Sequence, residues 1–116
     1  MSGSTAYHNG MAAEDIALRA YEAQGATLLA RRWKRREGEI DLIVEHGGVL
    51  VFVEVKARPT LEQALGALSP AQQARLLACA SQYLAKHASL NADCRFDLAA
   101  VDRQGQVEII ENVLAG

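Results

Sequence analysis

The stretch GEIDLIVEHGGVLVFVEVKAR, residues 38–58, determines the fold that we expect, because it contains two apolar strands separated by Gly47 and Gly48. A two-residue or four-residue turn centred on these glycines places residues whose numbers sum to 95 opposite each other on the two strands. Asp41 then lies opposite Glu54. The sequence therefore predicts a hairpin in which two carboxylates face each other.

The alternation of side chains along a strand predicts that this hairpin has one apolar face and one mixed face. Glu39 lies opposite Lys56 on the mixed face, beside the two acids. Helix cover can bury the apolar half of the mixed face near the turn and leave its charged end open. The apolar face is expected to contain Ile40, Leu42, Val44, Val51, Val53 and Val55.

The charged end has two competing interpretations: a solvated sheet surface with an ordinary Glu39–Lys56 pair, or a site that binds a cation. Like charges directly opposite on a sheet destabilise it by some tenths of a kcal/mol to about 1 kcal/mol, so the Asp41–Glu54 pair is unusual in a purely structural hairpin. A divalent cation explains the pair, because it takes carboxylate oxygens as ligands. With Lys56 beside it, such a site suits metal-assisted hydrolysis of a phosphodiester.

The remaining sequence predicts an α/β domain with a central mixed sheet of about five strands flanked by helices. A helix is expected over residues 11–24, and a second long helix begins at Pro70, where Ser69 and Gln72 form a capping box. Strands are also expected in the segments ATLLARRW, CRFDLAAVD and QVEIIENVL.

The length of 116 residues suits one domain, which we assign to residues 11–116, after a flexible polar tail of residues 1–10. The formal charge of −2 excludes the strongly basic class of nucleic-acid-binding proteins, so such a partner must meet a local patch. No apolar run approaches the roughly 18 residues of a membrane span, and no signal peptide is recognisable. We expect a cytoplasmic protein with no membrane partner, in which Cys79 and Cys94 are reduced core thiols.

A run of basic residues leads into the charged end of the hairpin. One interpretation is a solvated strand edge whose charges discourage aggregation. The other is a patch that follows a phosphate backbone, with Trp33 stacking on an unpaired base if it is exposed and lying in the core if it is not. The residues expected to contact nucleic acid are Arg31, Arg32, Lys34, Arg35, Arg36 and Arg58.

Three blocks, GEIDLI at 38–43, VFVEVKAR at 51–58 and CRFDLAAV at 94–101, occur in the order and spacing of a known family. The chain resembles the YraN-like bacterial proteins over almost its whole length, from Glu14 to the last strand. This resemblance implies the PD-(D/E)xK nuclease fold that restriction enzymes and archaeal Holliday junction resolvases share. We therefore expect a restriction-endonuclease-like core.

The resemblance also implies roles for individual residues of the hairpin. Asp41 and Glu54 would be the acids that bind Mg²⁺ or Mn²⁺, and the backbone carbonyl of Val55 would be a further ligand. Lys56 would be the catalytic lysine. These implied roles agree with the argument from hairpin spacing, which used the residues alone.

Two helical residues are expected beside this site. Glu14 resembles an acid of the first helix that faces the active site in resolvase-like relatives, and it heads an apolar stripe, although a first-turn acid is also favoured by the helix dipole. Gln73 resembles a glutamine of the family and heads the stripe of the second helix. Its neighbour Gln72 departs from the family pattern, in which many relatives have a lysine.

The function expected from these residues is that of a divalent-metal-dependent nuclease acting on nucleic acid, with DNA favoured over RNA. The alternative is a non-catalytic nucleic-acid-binding module that keeps the nuclease fold. A homodimer would supply the two sites that cutting both strands of a duplex requires.

Overall fold

The structure, a computed structural model, describes residues 2–87 and 92–114, with only the backbone for residues 2–11. It confirms the predicted α/β class. The helices are α1 (Ser2–Ala23), α2 (Leu61–Leu65) and α3 (Pro70–His87). The strands are β1 (Thr27–Arg35), β2 (Gly38–His46), β3 (Val49–Ala57), β4 (Cys94–Val101) and β5 (Val107–Ile110).

In the described part of the chain, five strands form one mixed sheet in the order β1-β2-β3-β4-β5. β3 and β4 are parallel, whereas the other neighbours are antiparallel. A parallel pair needs a crossover connection, which α2 and α3 supply. Because α1 and α3 pack on the sheet, the predicted mixed sheet flanked by helices is confirmed, and it is consistent with a restriction-endonuclease-like core.

The elements differ from those expected in several respects, one of which is that β5 ends at Ile110 and not at Leu114. α1 begins at Ser2 and not at residue 11, because a polar first half of a helix lacks the apolar periodicity on which the prediction relied; flexibility of residues 1–10 stays a prediction. α2 was not predicted, although Thr60 caps it by accepting from the Gln63 N–H at 3.2 Å. β1 continues to Arg35 and so includes most of the basic run.

The start of α3 agrees with the predicted capping box. The Ser69 Oγ accepts a hydrogen bond from the Gln72 N–H at 3.2 Å, and the Gln72 Oε1 accepts one from the Ser69 N–H at 3.2 Å. Two backbone donors that the helix leaves unpaired are thereby satisfied.

The two cysteines are free, but only one is in the core. Cys79 is buried on α3, as predicted, whereas Cys94 is exposed, so the assignment of Cys94 to the core is wrong. Cys94 is the first residue of β4, and that strand becomes fully buried only from Asp97 onward. Within the residues that the structure describes, none of the helices has the length and apolar composition needed to cross a membrane.

The predicted hairpin register is confirmed. β2 and β3 pair from Leu42↔Val53 to His46↔Val49, with Gly47 and Gly48 both at positive φ in the turn. Glycine adopts this left-handed backbone without the steric cost that a side chain brings. The turn therefore sets the register of the whole hairpin.

Two apolar clusters lie on opposite faces of the sheet. The cluster under α1, here called the α1 cluster, contains Ala17, Tyr21, Ala26, Leu42, Val44, Val51, Val53 and Ala99. The cluster under α3, here called the α3 cluster, contains Ile40, Ile43, Leu50, Phe52, Leu76, Cys79, Ala80, Tyr83 and Leu84. The predicted apolar face of the hairpin is the part of the α1 cluster that β2 and β3 supply, with one exception.

Ile40 is the exception, since it belongs to the α3 cluster and not to the α1 cluster with Leu42 and Val44. The expectation that these three residues share a face is wrong. Strict alternation along β2 requires regular pairing on both sides, but the β2–β3 ladder ends at Leu42↔Val53. Beyond that point β2 is free to turn its side chains toward α3.

The change of face in β2 occurs beside Arg32 of β1, whose φ of 50° lies in the left-handed region. Arg31 pairs with Leu42 and contacts α1, whereas Trp33 pairs with Ile40 and packs on the α3 cluster. Regular alternation would place residues 31 and 33 on the same face. A left-handed arginine costs on the order of 1–3 kcal/mol, so the rest of the sheet must stabilise it.

A buried carboxylate ties α1 to β4 and the C-terminal turn. Asp97 is 2% exposed and accepts from the Tyr21 hydroxyl at 2.8 Å, the Arg95 Nε at 3.0 Å and the Asn112 N–H at 3.0 Å. Burial and the charge of Asp97 raise the pKa of Tyr21 far above its usual range. The phenol is therefore a hydrogen-bond donor to Asp97 at neutral pH.

We expect Tyr21→Phe to lower the free energy of unfolding by about 1.5–3 kcal/mol, because it removes a donor from a buried carboxylate. Urea denaturation at neutral pH measures the change. Tyr83→Phe is the matched control, since the hydroxyl of this buried tyrosine donates no hydrogen bond to another described residue. Equal stability of the two variants would contradict a role for the Tyr21–Asp97 bond.

Candidate active site

The site lies where β2 and β3 separate. Beyond the Leu42↔Val53 pair, the Val55 N–H donates to the Asp41 Oδ2 at 2.8 Å. The Asp41 side chain thus accepts a hydrogen bond from a backbone N–H that would pair with β2 if the β2–β3 ladder were longer. The opening of the sheet at this point leaves room for the side chains of Asp41 and Glu54.

Asp41 and Glu54 meet as the hairpin register predicted. Their carboxyl groups line the same cleft, close enough for Glu54 to disfavour the charge on Asp41. Burial, hydrogen bonding to Glu54 and the charge of Glu54 raise the pKa of Asp41 to about 8, and the Val55 N–H opposes the shift. Two acids this close form a site with a strong affinity for positive charge.

Lys56 is buried on the same side of β3 as Glu54, with its Nζ 3.4 Å from the Glu54 Oε2. The sequence predicted this placement two residues along the strand. It also predicted that Glu39 would lie opposite Lys56, but the β2–β3 ladder does not reach these residues. The ammonium is therefore held by Glu54 and not by Glu39.

A cleft of about 170 Å³ opens between the acids and α3. One wall carries Glu39, Asp41 and Glu54, and the other carries Gln72 and Arg75 of α3. The cleft therefore combines three acids with an arginine that forms no ion pair with a described carboxylate. Sequence reasoning missed Arg75; its position three residues after Gln72, on the same face of α3, was the available signal.

Glu14 is 7% exposed and lies on the side of α1 that faces β1. Arg32 Nε lies 3.1 and 3.2 Å from the two Glu14 oxygens, and Arg31 Nη2 lies 3.5 Å from Glu14 and 2.9 Å from Asp15. The left-handed backbone lets two consecutive arginines reach one carboxylate. Since the charge of Glu14 also raises the pKa of Asp41, Glu14 is close enough to influence the acid pair, in agreement with its predicted placement.

Gln73 does not line the cleft in the described part of the chain. Its Nε2 donates to the Leu68 carbonyl at 3.5 Å, while Gln72 occupies the cleft wall. The apolar stripe identified the face of α3 that packs on the sheet but not which glutamine reaches the acids. A functional role for Gln73 stays a prediction.

The predicted basic residues divide into two groups. Arg31 and Arg32 pair with acids of α1, whereas the other four form no ion pair with a described carboxylate. Trp33 is partly buried at the margin of the α3 cluster, where it packs edge-on against Tyr83, and the Arg35 guanidinium covers its ring at 3.8 Å, so it is not a freely exposed stacking platform. The exposed group is Lys34, Arg36 and Arg58, with the half-buried Arg35 beside it.

The donor set fits a hard divalent cation. No three His, Cys, Asp or Glu side chains of the described residues come together as metal ligands. Magnesium, however, is commonly held by one or two protein carboxylates together with water and substrate phosphates. The partly buried, mutually repelling carboxyls of Asp41 and Glu54 match that requirement, because a cation would compensate both charges.

Comparison with known proteins gives a consistent picture. Residues 13–101 match the model of the uncharacterised protein family UPF0102. A UPF0102 protein of Roseobacter denitrificans is 42% identical over 98% of this chain and 89% of its own length. One from Cereibacter sphaeroides is 44% identical over 99% of both chains, and one from Granulibacter bethesdensis is 46% identical over 95% of this chain and 70% of its own.

We expect Asp41→Asn to stabilise the protein by about 1 kcal/mol at pH 9 in the absence of divalent ions, because it removes a charge that burial and Glu54 disfavour. The sign follows from the raised pKa: the stability that the protonated carboxyl contributes is complete below about pH 4 and is lost as the pH rises through about 8. Asparagine can still accept from the Val55 N–H.

Thermal unfolding at pH 4 and at pH 9 tests this expectation. Glu45→Gln is the control, since Glu45 is an exposed acid of the same strand. The gain in unfolding temperature over the wild type should be larger at pH 9 than at pH 4 for Asp41→Asn, and Glu45→Gln should show no such difference. A gain that does not depend on pH would show that the charge of Asp41 is not its cause.

Proposed function

The chain belongs to the uncharacterised protein family UPF0102, and from its own site we propose that it is a divalent-metal-dependent nuclease that hydrolyses phosphodiester bonds, with DNA as the expected substrate. The observation that supports this most directly is the close pair of Asp41 and Glu54 in one cleft, with Lys56 Nζ 3.4 Å from the Glu54 Oε2. The cost of bringing these charges together is difficult to explain in a purely structural hairpin.

Asp41 and Glu54 would hold Mg²⁺ or Mn²⁺, and the Val55 carbonyl is a further candidate ligand on the same strand. When bound, the ion would activate water and stabilise the charge that develops on the phosphate. Glu54 holds the Lys56 ammonium beside the acid pair, where it can orient the attacking water or neutralise the phosphate. Arg75 lies on the facing wall of the cleft and can contact a phosphate oxygen there.

The exposed cations would guide the nucleic-acid backbone to this site. Lys34, Arg36 and Arg58 are exposed and form no ion pair with a described carboxylate, so phosphates can bind them without displacing an acid. The described residues contain one such acid pair, and cutting both strands of a duplex would need a second copy of the chain. We therefore also propose that a homodimer acts on duplex substrates.

We expect Glu54→Gln and Lys56→Ala each to reduce cleavage at least about 100-fold, because they remove groups that stabilise charge in the transition state. The assay offers linear, single-stranded, flap and branched DNA with Mg²⁺ or Mn²⁺. Glu45→Gln is the matched control and should cleave like the wild type. Cleavage that survives unchanged in Glu54→Gln would point to a contaminating enzyme.

Direct binding of Mn²⁺, followed by its electron paramagnetic resonance signal, separates the nuclease from its competitor. The wild type should bind the ion and the double variant Asp41→Asn, Glu54→Gln should not. Binding of DNA without Mn²⁺ binding and without turnover would instead establish a non-catalytic nucleic-acid-binding module. That result would overturn the proposed activity.

A further inference from the structure

A second cleft, of about 260 Å³, lies at the carboxyl ends of the parallel strands β3 and β4, on the side of the sheet covered by α1. Its walls include the apolar side chains of Ala13, Ile16 and Val101. Arg58 and Arg103 also line it. The carboxyl ends of strands are where open α/β sheets most often bind ligands.

Backbone hydrogen bonds hold the walls of this cleft in place without a bound ligand. The Arg58 N–H donates to the Val101 carbonyl at 3.1 Å, and the Arg103 N–H donates to the Pro59 carbonyl at 3.3 Å. These two bonds join the segment after β3 to the segment after β4. The two arginines are thus fixed at neighbouring positions by their own backbones.

The charges of the cleft are not balanced within the described residues. Arg58 and Arg103 are exposed and neither forms an ion pair with a described carboxylate. Asp102 also lines the cleft, but its Oδ1 accepts from the Gln104 N–H at 2.9 Å and from the Gln106 N–H at 2.8 Å. The Arg58 Nη1 donates to the Ala57 carbonyl at 2.7 Å, and two arginines against one carboxylate leave the cleft with a net positive charge, which favours an anion.

The cleft adjoins the candidate active site through the chain itself. Ala57 follows Lys56 on β3, and Ala13 precedes Glu14 on α1, so the cleft lies next to the candidate active site along the chain, although Ala57 and Lys56 point to opposite faces of the strand. Arg58 comes two residues after Lys56, just past the end of β3, so a strand whose phosphate reaches Lys56 can continue round this end of the sheet to Arg58. The apolar wall beyond the arginines suits a base or a sugar and not a further phosphate.

We propose that this cleft binds one unpaired nucleotide of the substrate strand, with its phosphate on Arg58 and Arg103 and its base against Ile16 and Val101. A cleft of this volume lies near the lower limit for pockets that hold a small organic ligand, and a base pair does not fit into it. The inference rests on the proposed nuclease function and makes its substrate a nucleic acid with a single-stranded segment beside a duplex.

Binding of fluorescein-labelled DNA in EDTA tests the proposal without catalysis. The probes are a blunt duplex and the same duplex with a short single-stranded overhang at its 5′ or 3′ end, compared by fluorescence anisotropy. The wild type should bind one of the overhang probes about tenfold more tightly than the blunt duplex, the effect of one favourable base and phosphate contact.

Two variants remove this preference in different ways. The double variant Arg58→Ala, Arg103→Ala removes the anion contacts at exposed positions, and Ala12→Trp fills the cleft from an exposed position of α1. Both should bind the overhang probes no more tightly than the blunt duplex. Arg19→Ala, at an exposed arginine of α1 outside the cleft, should keep the wild-type preference.

Equal affinity of the wild type for all probes, or an overhang preference retained in both variants, would overturn the proposal. Unfolding temperatures of the variants exclude loss of the fold as a cause. The outcome is independent of the nuclease test. Metal-dependent cleavage without overhang preference refutes only nucleotide binding in the cleft. Overhang preference without cleavage supports nucleotide binding in the cleft and refutes the proposed nuclease activity.

Discussion

The contact between the Asp41 and Glu54 carboxyl groups is the constraint on which the rest of the site depends. Burial and proximity disfavour a negative charge on both acids at once, and a proton, the Lys56 ammonium or a bound cation can compensate it. The strands must also separate to make room, and the Val55 N–H, which donates to Asp41, stabilises that separation. The sheet therefore opens at the charged pair and stays regular toward the turn.

The opening of the sheet explains features that are distant in sequence. Ile40 leaves the α1 cluster for the α3 cluster once β2 is released from β3. Trp33, its partner on β1, follows it, and Arg32 takes a left-handed backbone so that its neighbours can face opposite helices. Glu14 then meets two consecutive arginines and approaches the acid pair from α1. The left-handed backbone of Arg32 and the position of Glu14 near the acid pair are therefore linked.

Much of this site could be predicted from the sequence, because its geometry follows from short-range rules. The Gly47-Gly48 turn and the period of two along a strand suffice to bring Asp41 opposite Glu54 and Lys56 beside it. The resemblance to a known family added the direction in which Glu14 faces. These are consequences of local backbone geometry, which holds from the turn to the Leu42↔Val53 pair and leaves Asp41 and Glu54 just beyond it.

Other features depend on tertiary contacts that leave no local signal. A left-handed backbone is expected at glycine or asparagine and not at an arginine, so neither Arg32 nor the changed face of Ile40 could be predicted. Arg75 looks like any exposed helical cation until the hairpin is packed against α3. The short helix α2 is different, because the Thr60 and Gln63 pattern at its start was readable and was overlooked.

The irregular course of β1 has a consequence for assembly. β1 is an edge of the sheet, and its pairing shifts register between Leu28 and Ala30 before the left-handed residue at Arg32 interrupts it again. An edge with two such interruptions offers no continuous row of donors and acceptors to another strand. A second copy of the chain would therefore not extend the sheet by pairing with β1.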